Sequence, residues 1–247
     1  MKKIQNILIL ILLFTGLIRL NAQTTTEIEK ASKACKPVFL VAYNASGTDA
    51  DKAFSIANEA KKSLKASSVV VKMNTEDAVN KALVSKFRLA GAPLPLILVI
   101  DKNGNVAGGL ILQDATSKKL IELIPSPKFS ELIKALTEGK SVYVVVYKES
   151  MASKNSIMDN CAVACGKMGN KSVVVTVDLD DKKEIKLLQN LKCDLNAKDP
   201  VTYVLNPSGQ VTGTFNGITD VNNLVSSAKK APAGGCCPGG AKAGGCK

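Results

Sequence analysis

The chain has 247 residues, 46% of them hydrophobic, with 33 Lys and Arg against 21 Asp and Glu, a formal charge of +12, seven Cys and no His. The lack of His excludes every Cys/His zinc pattern and every Cys–His or Ser–His catalytic pair. The basic excess does not point to nucleic acid, because the lysines are spread along the chain, Trp is absent and no clustered basic helix occurs.

Residues 1–22 read as a signal peptide. Lys2 and Lys3 give a positive start, Ile7 to Phe14 are an unbroken apolar run, and Leu20-Asn21-Ala22 offers a cleavage site with small Ala22 last. The run falls short of the roughly 20 apolar residues of a spanning helix. Cleavage therefore leaves no stable membrane span, and the alternative is retention of the leader as an anchor. The mature chain of 225 residues, with its charge reduced to +9 by loss of Lys2, Lys3 and Arg19, is expected to be periplasmic or extracellular. In such an oxidising place disulfides are expected, and an odd cysteine count leaves at least one thiol free, shared between chains or ligated.

In chain order, Phe39 to Tyr43 read as a buried strand, Asp49 to Ala66 as a helix and Val69 to Asn74 as a second strand. Glu76-Asp77 lie at the opening of a helical stretch from Thr75 to Arg88. Pro95 then begins a strand, a turn at Asp101-Lys102-Asn103-Gly104 and a return strand, which is a hairpin signal. Ser126 to Glu138 form a helix, with Ser126 as cap and Pro127 in the first turn.

The same series returns. Tyr143 to Tyr147 lie 104 residues after Phe39 to Tyr43, Val173 to Asp178 lie 104 after Val69 to Asn74, and the hairpin opened by Pro200 lies 105 after that of Pro95. Helices are expected at Ser153 to Met168, Lys182 to Cys193 and Asp220 to Lys229. Three matched blocks in one order make the chain two copies of one unit, at 33–139 and 140–230. The run Leu110 to Pro125 reads as an insertion in the first copy. Apolar strands alternating with helices give an α/β class, with a central mixed sheet flanked by helices in each copy.

This succession, with a proline opening the hairpin, resembles the thioredoxin-like fold family. The resemblance implies that Pro95 and Pro200 have cis peptide bonds, and that the surface around them receives an extended peptide from a partner. It also implies a Cys-x-x-Cys at the start of the first helix, where the helix dipole lowers a thiol pKa. Here that place holds Thr48-Asp49-Ala50-Asp51 in one copy and Ala152-Ser153-Lys154-Asn155 in the other, with no sulfur. Asp49, Asp51 and Ser153 read instead as helix caps.

Cys35 precedes the first strand, either as a small residue at a domain edge or as one half of a disulfide. Cys161 and Cys165 are one turn apart on one helical face. With Ile157 and Met168 they form either a core-facing stripe or a redox or metal-binding pair. Cys193 ends the following helix. Residues 231–247 are low in complexity and rich in glycine, and read as a flexible tail carrying Cys236, Cys237 and Cys246. Those three sulfurs suit a soft ion or metalloid such as Cu(I), Zn(II) or arsenite, or disulfide exchange. The functional expectation is an exported binding or scaffold protein of the cell envelope with a thiol-handling tail, not an enzyme. The alternative is a thiol–disulfide oxidoreductase working through Cys161 and Cys165 or through the tail.

Overall fold

The computed structural model describes residues 23–45, 49–65 and 67–231, so the leader and the cysteines of the tail lie outside the described residues. The chain divides into two compact units between Lys134 and Ala135. The sequence places this division at 139/140. It falls instead within a helix.

The first unit runs α1 (Gln23–Lys33), β1 (Val38–Tyr43), α2 (Ala50–Ser63), β2 (Val69–Asn74), a 3-10 turn (Ala78–Asn80) leading into α3 (Lys81–Lys86), the hairpin β3 (Leu96–Ile100) and β4 (Val106–Ile111), and α4 (Ser117–Glu122). The second repeats it element for element: α5 (Pro127–Thr137), β5 (Ser141–Tyr147), α6 (Lys154–Met168), β6 (Ser172–Asp178), a 3-10 turn (Lys182–Glu184) leading into α7 (Ile185–Asn190), β7 (Val201–Leu205), β8 (Val211–Asn216) and α8 (Val221–Ala228).

The elements correct the sequence reading in two ways. The run Leu110 to Pro125 is no insertion, because α4 begins 104 residues before α8, and Leu120 and Leu224 are both fully buried at the same register. Helix α5, read from sequence as the end of the first copy, begins 104 residues after α1 and opens the second repeat. Helix α1 escapes a pattern search because its sequence, QTTTEIEKASK, sends only Ile28 and Ala31 into the core.

Each unit has a four-stranded mixed sheet, ordered β2-β1-β3-β4 and β6-β5-β7-β8. In each the first two strands of the chain are parallel and the hairpin strands antiparallel. Strand alternation divides the apolar residues of β1 between two layers. Phe39 and Val41 pack with Ala53, Ala57 and Ala60 of α2 and with Leu120, while Leu40 and Ala42 pack with Ile28, Ala31 and Leu83. In the second unit Tyr143 and Val145 meet Ile157, Cys161 and Ala164 of α6 and Leu224 of α8.

The repeat extends to irregular backbone. Each hairpin shifts register at one place, Val99/Ile100 and Val204/Leu205. Each turn is held by a buried side chain: Asp101 Oδ1 accepts from the Asn103 and Asn105 amides, and Asn206 Oδ1 from those of Ser208 and Gln210. Helix α5 ends on Gly139 at φ 72°, and α1 ends on Cys35 at φ 53° in the same hydrogen-bonding pattern. Cys35 is exposed and thus occupies a left-handed position that favours glycine.

Candidate functional site

The start of the first long helix is the place to examine in each unit, because its free amides and dipole stabilise an anion there. At α2, Asp49 has φ −95° and ψ 3°, and at α6, Ser153 has φ −81° and ψ 0°. Neither side chain caps its helix. A capping side chain needs extended backbone to reach back to the N2 or N3 amide. Thr116 and Asp220 have that backbone and do cap α4 and α8. The capping expectation for Asp49 and Ser153 is thereby corrected, and the Ser153 hydroxyl is buried without a partner.

Asp51 is not a cap either. It accepts from Lys72 Nζ at 2.8 Å, and that ammonium also lies 4.3 Å from the centre of the Phe54 ring. The Lys72 hydrogen bond holds the Asp51 carboxyl below its ordinary range. Side chains of the second unit at the same register are Thr176, Asn155 and Met158, which cannot form this ion pair. The two helix starts thus differ in electrostatics while sharing an absence of sulfur.

The two prolines occupy equivalent positions at the mouths of their hairpins. The Pro95 carbonyl accepts from the Leu112 amide at 3.3 Å, and the Pro200 carbonyl from the Gly217 amide at 2.9 Å. The Leu94–Pro95 bond is cis. Among the described residues it is the only cis peptide, so the expectation of a second one at Pro200 is corrected. The hairpin hydrogen bond is made with either isomer, and trans is the commoner state of an X-Pro bond.

The sulfurs of the second unit lie away from the helix start. Cys161 is fully buried on the inner face of α6, at the register that Ala57 fills in α2. Burial pushes its thiol up to about 11. The neighbouring Thr202 hydroxyl opposes this only weakly, at a geometry too poor for a hydrogen bond. Cys165 is half-buried, its thiol raised by burial, and it accepts from Ser172 Oγ at 3.4 Å. The Tyr143 hydroxyl is buried without a partner, and its pKa is raised to about 12 by burial and by the two thiols. Cys193 follows α7 at the register of core residue Leu89, and burial raises its thiol too. These placements suit thiols that pack, and a raised pKa reduces the thiolate needed for exchange or ligation. Among the described residues no three His, Cys, Asp or Glu side chains lie close enough to hold a metal ion.

The sequence reading missed one buried charge. Asp101 is 1% exposed, and its Oδ2 has no hydrogen-bond partner. It lines a cavity of about 110 Å³ with Cys35, Pro37, Ser130 and neighbouring prolines. Its counterpart Asn206 instead donates from Nδ2 to the Lys230 carbonyl at 3.3 Å. The sequence signal was available, since Asp101 and Asn206 stand at matching places in the repeated turn. Asp101→Asn is expected to raise the stability of the first unit by about 1 kcal/mol, since an unsatisfied acceptor is exchanged for a donor. A chemical-denaturation midpoint unchanged or lowered by the substitution would count against this account of the turn.

No protein-family model matches the chain, and no curated protein matches it. Among solved structures it is similar to the first two thioredoxin domains of Naumovozyma dairenensis Eps1p, at 10% identity and TM-score 0.33, over 83% of this chain and 96% of that one. It is also similar to the zinc-bound form of human ERp44, at 10% identity and TM-score 0.34, over 81% of this chain and 55% of that one. A third is the NTD_N/C domain of the alkylhydroperoxide reductase AhpF from Enterococcus faecalis, at 16% identity and TM-score 0.24, over 83% and 98%. Scores this low add nothing to the strand order and the order of helices, on which the fold rests. Each of the two units has a thioredoxin-like fold, and neither carries a Cys-x-x-Cys at the start of its first long helix.

Proposed function

We propose that the chain is an exported, non-catalytic thioredoxin-like binding protein of the cell envelope. In this reading its tail sulfurs Cys236, Cys237 and Cys246 hold a soft metal ion or metalloid, or exchange thiols. The observation that carries the reading is the replacement of sulfur at both helix starts. A thiol there would gain thiolate character from the dipole, whereas Asp51 is committed to Lys72 and Ser153 is buried. The thiols of α6 have their pKa moved upward by burial, away from nucleophilic use. The surface beside Pro95 and Pro200 is left for an extended peptide partner.

The test separates the two thiol pools. Reduced full-length protein and a chain ending at Lys230 are titrated anaerobically with Cu(I), Zn(II) and arsenite, and both are assayed for reduction of an insulin-type disulfide. Binding confined to the full-length chain, falling as pH drops because protons compete for thiolates, is the expected result. Equal binding by the two chains would remove the tail from the account. Robust disulfide turnover abolished by Cys161→Ser would replace the reading with that of an oxidoreductase.

A further inference from the structure

Each sheet has two outer strands, and an outer strand offers unpaired amides and carbonyls to any chain that can align with them. Three of the four are guarded. Strand β2 carries Lys72 at its centre, fixed by Asp51. Strand β4 follows a register shift and contains Gly108 and Gly109. Strand β8 also follows a register shift, and Lys230 Nζ donates to the carbonyl of Thr212 within it. These are the usual means by which edges avoid pairing.

Strand β6 has none of them. Its sequence from Ser172 to Val177 is Ser-Val-Val-Val-Thr-Val, without charge, glycine or proline. It pairs without irregularity to β5 over its whole length, which leaves its other side straight. At the centre, where β2 has Lys72, it has Thr176. Among the described residues its outer side has no backbone hydrogen bond.

We propose that β6 pairs with β6 of a second copy of this chain, antiparallel about a two-fold axis at Val175. The sequence is self-complementary in that register. Val173 faces Val177 of the other copy, Val174 faces Thr176, and Val175 faces itself, so every central pair joins β-branched uncharged side chains. The flanking charges agree as well. Lys171 precedes the strand and Asp178 ends it, and antiparallel pairing lays each Lys171 beside Asp178 of the other copy. A parallel arrangement would set lysine against lysine. The interface is isologous and closes at two copies, since each contributes one edge.

The test is sedimentation of the mature full-length chain over a concentration series with reductant present, so that disulfides between tails do not contribute. The weight-average mass is expected to rise from one chain to two. Thr176→Lys installs the residue that the first unit already tolerates at this register. It should weaken association at least about tenfold while leaving the circular dichroism unchanged. Lys171→Glu and Asp178→Lys should each weaken it, and the double variant should restore it. A single-chain mass at every concentration would overturn the proposal, as would association that appears only without reductant. A dimer indifferent to Thr176→Lys would overturn it equally.

Discussion

Leu120→Ala will destabilise the first unit by about 2–5 kcal/mol, the cost of emptying a buried leucine site. Leu120 is fully buried against Phe39, Val41 and the alanines of α2, and it corresponds to Leu224, which is buried against Tyr143 and Cys161. Leu224→Ala should therefore cost a similar amount in the second unit. Urea unfolding followed by far-ultraviolet circular dichroism measures both, without need of a tryptophan. If 110–125 were a surface insertion, Leu120→Ala would change stability by no more than about 0.5 kcal/mol. A result that small would remove α4 from the core of the repeat.

The second large effect concerns thiol reactivity. At pH 8 the Cys161 thiol of the native chain should alkylate at least about 100-fold more slowly than the same thiol in urea, because only the thiolate attacks. Its pKa is moved from an ordinary 9.0 to about 11, and exclusion of reagent from the core slows it further. Peptide mapping by mass spectrometry resolves Cys161 from exposed Cys35, which should label in the native state. The same shift links stability to pH. The native state holds this proton more tightly than the unfolded chain, so the contribution is complete below about 9 and disappears as pH rises towards about 11. Rapid native labelling of Cys161 would show that α6 opens readily, and would favour the relocated-cysteine oxidoreductase.

The two thiol results bear on different sulfurs. Protected Cys161 together with ion binding by the full-length chain alone would leave the tail as the reactive part of the protein. Protected Cys161 without such binding would leave a binding protein whose tail serves only disulfide exchange or anchoring.

The sequence alone determined the duplication, the α/β class and the missing Cys-x-x-Cys. Those features rest on local pattern: runs such as Phe39-Leu40-Val41-Ala42-Tyr43, turn residues at Gly104 and Gly209, and residue identities at two helix starts. Helix α1 and the role of α4 were not legible, because two buried side chains in eleven residues and a six-residue helix give too little periodicity. Only the tertiary structure aligned α1 with α5 and α4 with α8, since their register follows from packing on a shared sheet. Packing also decided the side-chain roles. Cys161 is a core residue because it fills the Ala57 position against the sheet. Asp51 is a partner of Lys72 because two elements distant in sequence bring them within 2.8 Å. The isomers of Pro95 and Pro200 differ although their local sequences place both at the mouth of a hairpin. The unguarded edge of β6 was likewise invisible in sequence, since a strand becomes an edge only when the order β6-β5-β7-β8 leaves one side of it unpaired.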